Sequence, residues 1–174
     1  MGNSIYLSIK KKSEVKINDL KFPDFIKRDE SKKAFSLLFE MFNYLGLDIN
    51  INDIYYSNNG KPYIKNSNIK FNYSHSKNYI ACCVSYVDMG IDVEDEFNMS
   101  DEARIMYLSG INDDIRRNFV TKEAYCKLLG KFDDEFFKKL DINSISKNKY
   151  EINNSDYDLV LFYSGKTKII NIIL

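Results

Sequence analysis

Net charge is the first thing this sequence lacks, its 25 Lys and Arg residues being cancelled by 25 Asp and Glu. That balance withholds support from a general nucleic-acid or anionic-membrane surface and points to a partner recognised by a small charged site. Glycine and proline are also scarce, 7 and 2 in 174 residues, while 44% of the chain is hydrophobic and 29% charged. Such a composition excludes long disordered stretches. Cysteine occurs three times, as Cys82, Cys83 and Cys126, without Cys-x-x-Cys spacing. Cys82 and Cys83 fall on opposite faces of a strand, so neither a disulfide framework nor a zinc set is readable. No run approaches the roughly 18 apolar residues of a membrane span. The start Met1-Gly2-Asn3-Ser4-Ile5-Tyr6 carries neither a signal-peptide core nor a myristoylation pattern. These absences predict a soluble protein of a reducing cytoplasm.

What is present reads as alternating strands and helices. A chain of this length buries on the order of 70% of its unfolded surface, enough for one core or two small ones packed together. Ile5, Leu7 and Ile9 alternate over 4–10 as a strand, and Ala34, Leu37, Leu38, Met41, Phe42 and Leu45 recur at helical spacing before Gly46. Residues 54–56 and 62–64 flank Ser57-Asn58-Asn59-Gly60-Lys61, a hairpin turn signal. Ile69, Phe71 and Tyr73 alternate, 79–87 is a continuous strand-forming run, and Arg116 to Leu129 reads as a second long helix ended by Gly130. Residues 157–163 and 168–174, separated by Ser164-Gly165-Lys166-Thr167, predict a closing hairpin. The glycine that a P-loop requires falls at Val160, so that turn is not one. The expected class is α+β, as two similar subdomains, each a small, mostly antiparallel sheet packed on a long helix. They comprise residues 1–88 and 89–174 and meet without a linker.

The chemistry concentrates in a split acidic set. In Gly90-Ile91-Asp92-Val93-Glu94 the two carboxylates alternate with Ile91 and Val93, so a strand presents both acids on one face, roughly 6.5 to 7 Å apart. That spacing lets both converge on one hard cation. In Lys122-Glu123-Ala124-Tyr125-Cys126-Lys127, Glu123 and Lys127 share a helical stripe with Arg116. From these residues alone two readings stay open for each pair: a cation site facing a cleft, or ordinary solvated acids and an i to i+4 surface pair.

Gly60-Lys61-Pro62 and Phe71-Asn72-Tyr73-Ser74-His75-Ser76 precede the acidic set in fixed order. With these segments the chain resembles the 4′-phosphopantetheinyl transferases, in their longer single-chain, pseudo-dimeric type, from about Gly60 to Lys131. The resemblance implies transfer of the phosphopantetheine arm of coenzyme A to a serine of an acyl or peptidyl carrier protein, releasing adenosine 3′,5′-bisphosphate. It implies Asp92, Glu94 and Glu123 as ligands for Mg²⁺ or Mn²⁺, and Glu123, Lys127 and Asp92 as catalytic residues. Glu123 would serve as general base and Lys127 would sit against the pyrophosphate. Lys61, Pro62, Ser74, His75 and Lys127 would bind coenzyme A, with Ser76 a weaker candidate; Lys122 could reach the same anion from another stripe. The N-terminal subdomain would then carry the nucleotide contacts, the C-terminal one the metal and catalytic residues. The partners implied are the carrier protein and coenzyme A, with no nucleic acid, no membrane and a monomeric chain.

Two features depart from the family pattern. Phe119 stands where the family often has tryptophan four residues before the helix glutamate, which keeps apolar bulk and loses an N–H donor. The N-terminal half is abbreviated, and its basic cluster Lys27, Arg28, Lys32 and Lys33 reads more readily as a solvated helix start. Two other readings remain: a metal-dependent phosphohydrolase or nuclease using the same carboxylates, and a non-catalytic carrier-binding protein.

Overall fold

The computed structural model describes residues 2–23, 26–108 and 114–174. Strand β1 (Ser4–Lys11) is followed by helix α1 (Asp29–Tyr44), a single 3₁₀ turn, the short strands β2 (Ile54–Tyr56) and β3 (Pro62–Ile64), then β4 (Lys70–His75) and β5 (Tyr79–Ser85). After them come β6 (Met89–Glu94), α2 (Asp101–Leu108), α3 (Ile115–Leu129), α4 (Asp134–Lys139), β7 (Asn148–Asn153), β8 (Asp158–Tyr163) and β9 (Lys168–Asn171). The α+β class expected from the sequence is the observed one. Both long helices end as their glycines predict, Gly46 at φ 67° and Gly130 at φ 64° taking the left-handed conformation that closes the last turn.

The strands form a four-stranded sheet in the order β4-β5-β1-β9, a three-stranded sheet in the order β6-β8-β7, and the isolated β2-β3 pair. In the larger sheet Ile80, Cys82 and Val84 face α1, where they meet Phe35, Leu38 and Phe42. The residues between them face the other way: Ala81 and Cys83, with Ile5 and Leu7, pack on Met89, Ile91, Val93, Leu159 and Leu161 of the smaller sheet. Cys82 and Cys83 thus fall on opposite faces as their adjacency requires, both free and buried. On the outer face of the smaller sheet, Val120, Ala124 and Leu128 of α3 cover Val160 and Phe162. The layers therefore run α1, large sheet, small sheet, α3.

One expectation fails. Residues 158–163 and 168–171 are both strands, but they do not pair as a hairpin. Strand β8 already has β6 on one edge and β7 on the other, so it has no backbone groups left for β9. β9 instead adds in parallel to the free edge of β1, with Ser4 opposite Lys168 and Leu7 opposite Asn171. The sheet built from residues before 88 is thereby completed by the end of the chain. Helices α2 and α4 carry no long apolar periodicity, and the sequence reading did not anticipate them.

Candidate active site

The alternation in β6 decides what meets α3. Met89, Ile91 and Val93 enter the core between the sheets, which turns Gly90, Asp92 and Glu94 toward the helix. Gly90 is required by proximity: a Cβ there would lie 2.1 Å from the Leu128 backbone nitrogen and 2.3 Å from the Ala124 carbonyl oxygen. The helix backbone rests directly on the strand backbone. Two residues further along β6, this close approach lets Lys127 Nζ donate to Asp92 Oδ1 at 2.6 Å.

Strand β4 supplies the third side. Asn72 Oδ1 accepts from the Ile91 backbone N–H at 3.1 Å, which ties β4 to β6. Ser74, on the same face of β4 as Asn72, then donates its hydroxyl to Asp92 Oδ1 at 2.6 Å and accepts from Lys127 Nζ at 3.1 Å. Asp92 is only 3% exposed, and its second oxygen, Oδ2, is buried with no hydrogen-bond partner among the described residues. An ionic, three-way contact thus closes the floor of a cavity of about 440 Å³. Gly60, Pro62, Ser74, His75, Asp92, Glu94, Glu123 and Lys127 all line it, with Asn72, Phe119 and Phe132.

Its electrostatics follow from burial and crowding. Burial, reinforced by Asp92, pushes the Glu94 carboxyl up to about 7, with Lys127 pulling the other way. Glu123 is raised by burial and by Asp92, again against Lys127. Burial alone would push the Lys127 ammonium down, but Asp92, Glu123 and Glu94 together hold it above the ordinary lysine value. Burial, Lys12 and Lys127 depress the His75 imidazole, which favours its neutral form.

Asp92, Glu94 and Glu123 share the cavity without converging, and among the described residues no three His, Cys, Asp or Glu side chains form a metal-holding group. Their chemistry nonetheless suits a hard divalent cation. Asp92 Oδ2 is a buried oxygen with no hydrogen-bond partner among the described residues, and burial together with the Asp92 carboxylate raises both glutamates beside it, a crowding of acids that a cation would relieve.

Some expected residues sit elsewhere. Lys61 does not line the cavity; its Nζ donates to the Leu128 carbonyl at 2.8 Å, at the C-terminal end of α3. Ser76 is 6% exposed and accepts from the Tyr79 backbone N–H. Lys122 lies outside the cavity, bonded to backbone carbonyls of Tyr107 and Phe137. Arg116, although on the Glu123 stripe, is held by Asp158 at 2.5 Å and by the Asp95 carbonyl at 2.7 Å. Of the basic cluster, Lys32 pairs with Asp29 and Lys33 donates to the Lys12 carbonyl at 2.6 Å, while Lys27 and Arg28 are exposed.

Four cavity residues had no role assigned from sequence: Phe132 and the polar Asn72, Tyr56 and Tyr73. Asn72 stands two residues before Ser74, so the strand period could have marked it. Tyr56 and Tyr73, whose hydroxyls are 2.9 Å apart, meet across different strands, and no sequence signal announces that. In comparisons with known proteins, no family model matches this chain and no curated protein matches it.

Proposed function

We propose that this protein is a 4′-phosphopantetheinyl transferase, moving the phosphopantetheine arm of coenzyme A onto a serine of an acyl or peptidyl carrier protein. The observation that carries the reading is a shared lining: Gly60 and Pro62, Ser74 and His75, Asp92 and Glu94, and Glu123 and Lys127 come from four separate stretches of chain and line one cavity. Repeated connectivity supports the pseudo-dimeric form. Strand β1, helix α1 and hairpin β4-β5 give the order β4-β5-β1, while β6, α3 and β7-β8 give β7-β8-β6. Residues 1–88 and 89–174 are then the two halves, with β9 as a strap from the second to the first.

In the reaction, the serine oxygen attacks the phosphorus attached to the pantetheine arm, and the bond between the two phosphates breaks. The electron pair leaves with adenosine 3′,5′-bisphosphate. Glu123, its carboxyl made more basic by burial and by Asp92, accepts the serine proton. Lys127 remains an ammonium because three carboxylates face it, and it offsets the charge that develops on the leaving phosphate. Ser74 and Asp92 hold that ammonium in place through the bonds at 3.1 and 2.6 Å. His75 and Pro62 contribute to coenzyme A binding from the other wall. Asp92, Glu94 and Glu123 would hold Mg²⁺ or Mn²⁺, which when bound neutralises pyrophosphate charge.

The test is incubation with coenzyme A, Mg²⁺ and a panel of apo carrier proteins from fatty-acid, polyketide and peptide assembly, read by intact mass. A phosphopantetheine adduct that disappears with EDTA supports the proposal. No adduct on any carrier overturns it, and coenzyme A hydrolysis without carrier favours a phosphohydrolase. The chain would act as a cytoplasmic monomer with no nucleic-acid or membrane partner.

A further inference from the structure

On α3, one turn away from the ionic floor, lies a lysine held by backbone. Lys122 is 1% exposed. Its Nζ donates to the carbonyls of Tyr107 at 2.7 Å, Phe137 at 3.1 Å and Lys138 at 3.5 Å, and lies 5.5 Å from the centre of the Phe137 ring. These carbonyls belong to the last turns of α2 and α4, where helix oxygens carry partial negative charge; that of Phe137 also accepts from the Leu140 N–H at 3.4 Å. One ammonium therefore ties the ends of two short helices to α3.

A second cavity of about 400 Å³ opens between the three helices, lined by Met99, Ala103, Tyr107, Cys126 and Phe137. It shares Phe119, Glu123 and Phe132 with the first cavity. At 3.6 residues per turn, Lys122, Cys126, Phe119, Glu123 and Lys127 follow one another around α3 over an arc of roughly 140°. Lys122 and Lys127 bound that arc, and each ends on a fixed acceptor: carbonyls of α2 and α4 on one side, Asp92 of β6 on the other. Glu123 lies between them. With the helix backbone resting on Gly90, two anchors on opposite sides leave α3 little freedom to roll about its axis.

We infer that Lys122 is a positioning residue for Glu123, setting the roll of α3 by anchoring it to the carbonyl ends of α2 and α4. The kinetic consequence rests on the transferase reading; the structural one does not. A rolled helix displaces the Glu123 carboxylate, and a misplacement near 1 Å costs on the order of 100-fold in rate. The remaining contacts to coenzyme A, from His75 and Pro62, do not depend on this anchor.

The test compares Lys122→Met, which keeps the length and loses the donors, with Lys122→Arg, which retains donors for the same carbonyls. In the carrier assay Lys122→Met is expected to lower kcat at least about tenfold while the KM for coenzyme A stays within about threefold, and Lys122→Arg to recover most of the loss. Independently of activity, the Glu123 side-chain carbon resonance in ¹³C-glutamate-labelled protein should move in Lys122→Met while that of Glu30 stays, and amide exchange should quicken at Leu108 and Leu140. An unchanged kcat with an unchanged Glu123 resonance overturns the inference, as does a raised KM with kcat preserved. If the wild-type chain modifies no carrier, the transferase reading falls, and the resonance and exchange data decide the anchor alone. Should Lys122→Met not fold, Lys122→Gln is measured against the same criteria.

Discussion

Gly90→Ala puts the site's construction under the most direct stress. The added methyl would stand 2.1 Å from Leu128 N, 2.3 Å from Ala124 O and 2.7 Å from Lys127 C, all backbone atoms that cannot swing aside. To reach an ordinary contact of 3.4 Å, α3 must retreat from β6 by about 1.3 Å. Overpacking of this kind costs about 1–3 kcal/mol, and a backbone collision belongs at the upper end. For a chain of this size, that corresponds to a fall of roughly 6–12 °C in Tm. The same retreat stretches the 2.6 Å Lys127–Asp92 bond and withdraws Glu123 from the shared cavity, so transfer to carrier should fall on the order of 100-fold. Gly165→Ala is the control. Nothing lies within 4 Å of a Cβ there, so only its φ of 71° is strained, at a cost of about 1–2 kcal/mol and no loss of activity. Thermal unfolding and the carrier assay read both variants. A Gly90→Ala protein within about 2 °C of wild type and with full activity would refute the close-packed helix as the basis of the site.

Three further outcomes follow from the same geometry. Lys127→Met leaves the buried Asp92 with Ser74 as its remaining donor and should cost about 3–5 kcal/mol in urea unfolding; adding Asp92→Asn should recover part of that, and strict additivity would argue against the pair. In metal-free protein the Glu94 carboxyl, raised to about 7 from an unfolded value near 4.5, keeps a proton that the unfolded chain has released. Its stabilising contribution is therefore fully present below about pH 4.5 and lost as pH rises through 7. Wild type should thus lose stability relative to Glu94→Gln between pH 5 and pH 8, whereas a constant difference in urea midpoint would show that Glu94 is not perturbed. Lys61→Met removes the donor to the Leu128 carbonyl and should cost about 1 kcal/mol even without coenzyme A; an effect seen only with coenzyme A present would mean that the helix-end contact carries no weight.

Legibility divided along the range of the interactions. Strand β1, the two long helices and the β2-β3 hairpin were readable because each is written in a local period or turn composition. So was the opposition of Cys82 to Cys83, which needs only the two-residue repeat of a strand. Asp92 and Glu94 share a face by that repeat, and of the two readings open for them the structure has the cleft, opposite Glu123 and Lys127 of α3. The orientation of Lys61 toward Leu128, 67 positions away, carries no local signature. Nor does the grip of Lys122 on α2 and α4, since its acceptors are backbone groups that every residue type possesses.

By itself, the sequence determined which side chains could alternate onto one face, where the two long helices begin and end, and the order of the four short motifs. Those properties depend on residues within a few positions of one another. Only the tertiary structure decided that β9 joins β1, because the choice depends on which sheet edge still has unpaired backbone groups once β8 is enclosed. It likewise decided that Asp92 and Glu94 face α3. A bare Cα at Gly90 lets two backbones touch, and that contact brings Lys127 within 2.6 Å of Asp92.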